Sequence, residues 1–497
     1  MRRAVPPKAS APGAFLPAAD LPADATPNAA SARLARNIGA LTIARGITMA
    51  MTLVTTGVVA RVVEPGGLGV LSFSGAFVGY FALAGTLGLD LLGMRELARR
   101  PADLQTIVRD VVSLRLALHA VALVAYVIAV WALPRGPEVK AVLFVQGLTL
   151  VGQAISLEWV YQGTERMGVV AVRNVVAGAL QLAATLVLVR EADDVVWAAA
   201  AQTGAVLLVG VGLWASYRRD FGLLALHVNL ARWKSLAREA VPFAASVLMI
   251  AVYYQIDKVL LSVLRNDVET GLYEAAYRIA AMALVPVQVL GQAFYPTLSA
   301  AFGDASRMRS TAEGYVRVNL GIGLPVAFGC GLLARPLLGL IAGPAYGSAT
   351  VPLVVLTANI AVTCLSMGYS HPLLAWNRQR LYLGIMGLGA AVNVALNLLL
   401  IPAHGPLGAA WSALGSGLAV LAAVLVAHYR LTGRVYASAT ARVVLATAVG
   451  VGCVVLGAQA LGAPWPVQVL TAMAAYPAAA MAFGVVRPAE LRGWRTR

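Results

Sequence analysis

Residues 110–133 read DVVSLRLALHAVALVAYVIAVWAL. After the leading Asp the stretch is apolar except for Ser113, Arg115 and His119. As a helix it rises about 36 Å, enough to cross a ~30 Å hydrocarbon core. Thirteen further segments of this kind surround it. The spans, numbered in chain order, are 38–61, 68–93, 110–133, 139–162, 168–189, 195–217, 240–264, 271–299, 312–334, 349–375, 381–402, 405–429, 443–462 and 464–486. The sequence therefore predicts an all-α integral membrane protein with about 14 transmembrane helices. The connections are too short to hold a soluble domain, which excludes a soluble catalytic half.

Charge sorts with the alternation of the spans. Of the 38 Lys and Arg, 26 fall on the side of the amino terminus, 6 on the other side and 6 inside spans. Positive loops stay in the cytoplasm, so both termini are expected there, in a multi-pass protein of the bacterial inner membrane. The net charge of +16 is then a topology signal, and with 60% hydrophobic residues a nucleic-acid partner is not expected. Cys330, Cys364 and Cys453 lie in apolar segments with no metal-ligand spacing, and read as small buried hydrophobes. Residues 1–37, rich in Ala and Pro, read as a disordered cytoplasmic tail.

The longest interruption is 218–239, RRDFGLLALHVNLARWKSLARE. Phe221, Leu224, Leu230, Trp233 and Leu236 recur among Arg and Lys, which predicts an amphipathic helix on the membrane surface. It would link a first lobe, 38–217 (spans 1–6), to a second, 240–429 (spans 7–12). Spans 13 and 14 (430–486) would be an appendage, followed by a short tail, 487–497. A weak internal repeat falls at the matching place in each lobe. VVEPGGLGVLSFSGAF (62–77) follows span 1 and VLRNDVETGLYEAAYRI (263–279) follows span 7, aligning Gly69 with Gly271. Two lobes joined in parallel are an arrangement used for alternating access.

Several stretches carry a family resemblance. GGLGVLSFSGAF (66–77) leads into LGLDLLGMRELARR (87–100), and span 4 ends EWVYQGTER (158–166). Span 7 holds YYQIDKVLLS (253–262), followed by GLYEAAYRIA (271–280) and AFYPTLSA (293–300). Spans 11 and 12 read NVALNLLLIPAHGPLGAAWSA (393–413). In this order the motifs resemble the polysaccharide-transporter branch of the multidrug/oligosaccharidyl-lipid/polysaccharide export superfamily, over roughly residues 36–430. The resemblance implies a V-shaped pair of six-helix bundles. It also implies export of an undecaprenyl-diphosphate-linked oligosaccharide for O-antigen, capsule or exopolysaccharide synthesis. A polysaccharide polymerase and a chain-length regulator are the partners it suggests, beside the membrane lipids.

Such a protein makes and breaks no bonds, so no catalytic residues, metal or cofactor are expected beyond coupling to a proton or sodium gradient. A diphosphate needs cations in a wet cavity, and charges at membrane depth are costly enough to mark function. Arg45, Lys258 and Arg278 are the candidates to bind it, while Arg115, Arg173 and Arg317 lie close enough to span ends to snorkel. Asp257 and Lys258 are adjacent and point about 100° apart on a helix, which makes Asp257 a candidate partner, or gate, for Arg278. Glu274, Asp90 and Glu158 join Asp257 as candidates for ion coupling, Asp90 and Glu158 alternatively neutralising Arg95 or Arg166. His119 reads as the only deep histidine, packed in the core. Tyr254, Tyr277, Gln288, Gln292, Asn393 and Asn397 are candidates to contact sugar. The amide pairs sit one turn apart and serve equally well as hydrogen bonds between helices. Trp159 and Tyr161 either stack on sugar or mark the membrane interface. A cation-coupled drug or metabolite exporter and a lipid II-type flippase are the alternatives. An intramembrane glycan enzyme would need a large outer loop, which is not present.

Overall fold

The computed structural model describes residues 27–485, with side chains at Ala44 and from Gly46 onward. Every regular element among the described residues is helical. Eleven helices are long and apolar enough to cross a membrane. Two of these each contain two of the expected spans.

Helix Gln379–Thr432 is broken at Gly405 (φ 53°, ψ −129°), a conformation that only glycine adopts without strain. Beyond it the chain folds back on itself. Asn393 Nδ2 lies 3.4 Å from Ser416 Oγ, two residues that a straight helix would separate by about 35 Å. A Cβ on Gly408 would stand 2.3 Å from the Leu400 carbonyl oxygen. Spans 11 and 12 are thus a close antiparallel hairpin. Helix Pro27–Thr86 is broken in the same way at Glu64 (φ 57°, ψ 178°), with Pro65 opening the second arm. Thr52 and Leu83 consequently line one cavity, although a straight helix would hold them about 46 Å apart. The eighteen-residue helix Trp465–Ala482 supplies the fourteenth segment.

Three departures from the sequence reading have local causes. Span 2 ends at Thr86, and Leu87 and Gly88 turn the chain in left-handed conformations before helix Leu89–Arg99. Span 4 is interrupted between Ala154 and Glu158. Arg115 of span 3 meets the break: its guanidinium donates to the Gln153 and Ser156 carbonyls, 2.7 Å each, and pairs with Asp90 at 3.0 Å. A helix interruption at membrane depth is tolerated when the freed backbone groups find partners. The 218–239 segment, expected as one amphipathic helix, is not one. Gly222 (φ 90°) ends the helix of span 6 at Phe221, and residues 222–229 are not helical. Asn229 then caps a 35-residue helix, Leu230–Leu264, its side chain accepting from the Arg232 N–H. Residues 230–239, nearly half of the segment, are therefore the start of the helix of span 7.

The helix ends that carry the 62–68 and 265–270 turns, called the turn end below, are drawn together. Gly69 and Gly271, aligned by the repeat, meet there. A Cβ on Gly69 would lie 1.7 Å from the Asp267 carbonyl oxygen, and one on Gly271 would lie 1.8 Å from that of Pro65. Each glycine faces the carbonyl four residues before the other, a relation with local two-fold symmetry. Arg135 reinforces the contact with an ion pair to Asp267 (3.0 Å) and a hydrogen bond to Ser262 Oγ (2.6 Å). Tyr346 donates to the Ala60 carbonyl at 3.0 Å, and Arg61 donates to the Leu340 carbonyl. Glycine's missing side chain here permits backbone to touch backbone.

Candidate functional site

Between spans 1, 2, 5 and 6 on one wall and spans 7 and 8 on the other lies a cavity of about 420 Å³. A second space of about 920 Å³, between spans 1, 5 and 8, shares Thr52, Lys258, Glu274 and Arg278 with it. Charge is concentrated at this junction. Glu274 accepts from Lys258 Nζ at 2.8 Å and from Arg278 Nε at 2.5 Å. Arg278 also donates to Thr56 Oγ1 across the cavity at 2.8 Å. Lys258 Nζ stands 4.7 Å from the centre of the Tyr277 ring, a cation–π distance. Glu274 is buried, and the Arg278 side chain is 37% exposed. The pairing follows from helix geometry, because Glu274 and Arg278 are one turn apart on span 8.

Asp257 points elsewhere. Tyr273 OH donates to its Oδ2 at 2.7 Å and Asn397 Nδ2 to its Oδ1 at 2.5 Å. Asn397 also donates to Asn393 Oδ1 at 3.0 Å, and Asn393 leads on to Ser416. Asp257, Asn393 and Asn397 are all buried. A single step along span 7 thus turns Lys258 toward the cavity and Asp257 into the second lobe, among amides and hydroxyls that suit a buried carboxylate.

The sequence pattern of the polysaccharide biosynthesis protein family matches residues 34–302, more than half of the chain. The chain belongs to this family. A putative O-antigen transporter of Shigella dysenteriae is 23% identical over 269 residues, 53% of this chain and 66% of that protein. A probable low-salt glycan biosynthesis flippase of Haloferax volcanii is 22% identical over 160 residues, 32% of this chain and 34% of that protein. The chain thus spans about two thirds of one of these curated relatives and one third of the other. The fold is that of the lipid II flippase MurJ in an inward closed conformation (TM-score 0.68, 11% identity), over 89% of this chain and 98% of that one. It is also that of an inward-facing multidrug resistance MATE family transporter of the MOP superfamily (TM-score 0.62, 17% identity), over 79% and 98%. The resemblance read from the motifs is therefore met in family and in fold. These relatives and neighbours are named as transporters or flippases.

Within the chain the candidate residues separate. Lys258, Arg278, Glu274 and Tyr277 converge on the junction, and Gln292 lines the larger space. The Arg45 side chain lies outside the described residues. The expected contact between Asp257 and Arg278 does not form, since Glu274 takes the arginine and Tyr273 and Asn397 take the aspartate. Asn393 and Asn397 are packed between helices, Gln288 is exposed away from both spaces, and Tyr254 packs edge-on against Tyr253. Asp90 and Glu158 pair with Arg115 and Arg173, at 3.0 and 2.6 Å, around a separate pocket in the first lobe. Arg95 and Arg166, their alternative partners, bind Glu96 and Asp220 instead. Trp159 and Tyr161 are buried, and Trp159 lines that same first-lobe pocket. His119 is packed, with Nδ1 2.9 Å from the Arg115 carbonyl, and His428, at the end of span 12, is also fully buried.

Several cavity residues escaped the sequence reading. Thr52, Thr55, Thr56, Gln181, Thr185 and Gln202 line the first-lobe wall. The signal was present: Thr52, Thr55 and Thr56 share one face of span 1, as do Gln181 and Thr185 on span 5.

Proposed function

We propose that the protein is a flippase that moves an undecaprenyl-diphosphate-linked oligosaccharide from the cytoplasmic to the outer leaflet, for the synthesis of a surface polysaccharide. The observation that carries this reading is the Lys258–Glu274–Arg278 cluster where the two spaces meet. Two cations share one carboxylate there, so the junction has a surplus of positive charge at membrane depth. Such an arrangement is expensive unless an anion uses it. An entering diphosphate takes the place of Glu274 at Arg278, where the guanidinium offers a bidentate fork, and at Lys258.

The positive-loop bias supports both termini in the cytoplasm of an inner-membrane protein. The turn end is then outside, and the conformation described here is closed outside. Transport proceeds by alternating access: the lobes rock about the cavity and the turn end parts to release the headgroup. Asp257, in its cage of Tyr273, Asn393 and Asn397, is the site at which a proton or sodium ion couples to this motion. A polysaccharide polymerase and a chain-length regulator would receive the product.

A cation-coupled drug exporter is the second reading, favoured by the buried Asp257 and Glu274. The test is flipping of a fluorescent undecaprenyl-diphosphate saccharide in proteoliposomes, with ethidium efflux in parallel. Movement of the lipid-linked saccharide without ethidium transport upholds the flippase. Ethidium transport alone overturns it. Movement of lipid II in preference to other saccharides would narrow the activity to cell-wall precursor export.

A further inference from the structure

Among the described residues, the charge on the cavity wall is confined to one lobe. Lys258, Glu274 and Arg278 all belong to the second lobe. Across from them the first lobe presents Thr52, Thr56, Ser72, Tyr80, Gln181 and Gln202, hydroxyls and amides with no acid or base among them. These groups both donate and accept, matching the hydroxyl and acetamido groups of a sugar. The deep arginines of the first lobe do not add to the supply. Arg115 is paired with Asp90 and committed to two carbonyls, and Arg173 is paired with Glu158.

A charge count then limits the cargo. The cavity holds two cations and one carboxylate, a net charge of plus one. A diphosphate brings about two negative charges, which takes the sum to minus one. Adding Arg45, expected on the cavity from its place in span 1, would raise that sum only to zero. Either way no cation remains for an acidic sugar. A uronic or sialic carboxylate against the first-lobe wall would find hydrogen-bond donors but no counter-charge, and an unneutralised charge at membrane depth is disfavoured.

We infer that the saccharide carried by this protein is uncharged in the residues next to the diphosphate, and that the first-lobe amides and hydroxyls read its hydroxyl pattern. The inference rests on the flippase reading and divides the labour of the site. The second lobe holds the diphosphate, and the first lobe holds the sugar.

The test uses the full chain in proteoliposomes and two undecaprenyl-diphosphate-linked disaccharides. They differ only at C6 of the sugar beside the diphosphate, a hydroxymethyl in one and a carboxylate in the other. The neutral lipid should move at least ten-fold faster. Gln181→Lys and Gln202→Lys, each placing a cation on the first-lobe wall, should narrow that ratio by raising the rate of the acidic lipid. Equal rates for the two lipids in the unmodified protein, or a faster acidic lipid, would overturn this inference and leave the flippase reading intact. Movement of neither lipid would overturn both. The ratio in the unmodified protein decides the matter even if a lysine variant fails to fold.

Discussion

Replacing Gly69 by Ala sets two physical effects of opposite sign against each other. Neither Gly69 nor Gly271 has a positive φ, so alanine brings no backbone strain, and helix propensity alone predicts a gain of about 1 kcal/mol. The contact predicts the reverse. The new Cβ would lie 1.7 Å from the Asp267 carbonyl oxygen, where ordinary contact begins at 3.4 Å. The two turns must therefore part by about 1.7 Å. The obstacle is backbone, which cannot rotate away as a side chain can. A displacement of that size would also stretch the 3.0 Å Arg135–Asp267 pair beyond an ion-pair distance. Overpacking of this kind costs about 1–3 kcal/mol, which shifts a two-state equilibrium about 5- to 150-fold. The closed turn end should lose population by that factor. The assay is labelling of Ser72→Cys, at the cavity wall, by a membrane-impermeant maleimide added outside cells, with Cys330, Cys364 and Cys453 replaced by Ala. Labelling should rise in Gly69→Ala and in Gly271→Ala, and flipping should fall in both. Unchanged labelling in both variants at normal abundance would refute the reasoning, and greater thermal stability would show that propensity outweighs contact.

Three further outcomes follow from the site and the caps. Lys258→Ala and Arg278→Ala should each reduce flipping at least ten-fold without lowering membrane abundance, and Arg278→Lys should recover part of it; full activity in both Ala variants would remove the cationic junction from the mechanism. Asp257→Asn keeps the shape of its cage but not the charge, so flipping should lose its dependence on an imposed proton or sodium gradient while a fluorescent lipid-linked saccharide still binds. A gradient response equal to that of the unmodified protein would exclude Asp257 as the coupling group. Asn229→Ala removes the cap of span 7 and should cost about 1 kcal/mol, read as a lower Tm in detergent; an unchanged Tm would mean that lobe packing alone holds that helix start.

The spans were legible because membrane crossing imposes a length and a composition that no other fold shares at this frequency. Gly69 and Gly271 were legible as a repeat but not as a contact, because alignment reveals equivalence and not proximity. The 100° between Asp257 and Lys258 foretold that they face different neighbours. It could not say which, since that depends on the rotation of span 7 against spans 8 and 11. Asn393 and Asn397 show the same limit: one turn apart on one face, they fit a sugar site or a helix seam equally, and only packing chose the seam around Asp257. The threonines of span 1 carry a weaker signal than a charge, because threonine in a membrane helix commonly bonds back to its own backbone, as Thr48, Thr52 and Thr55 do. The 222–229 break was hidden by an apolar spacing that suggested a longer helix than Gly222 allows.

Arg115 has a consequence for how the chain enters the membrane. An arginine costs about 2.5–3.5 kcal/mol at the centre of an inserting helix on insertion scales, and Arg115, five residues past the start of span 3, bears part of that cost. The carbonyls of Gln153 and Ser156 would be equally unwelcome in lipid if left bare. In the folded protein each of these groups answers the other, with Asp90 beside them. Span 3 and the broken span 4 are thus poor candidates for the bilayer one at a time and good ones together. Biogenesis should favour their passage from the translocon as a paired hairpin, and cutting the chain between them should harm insertion more than cutting between spans whose seams are purely apolar.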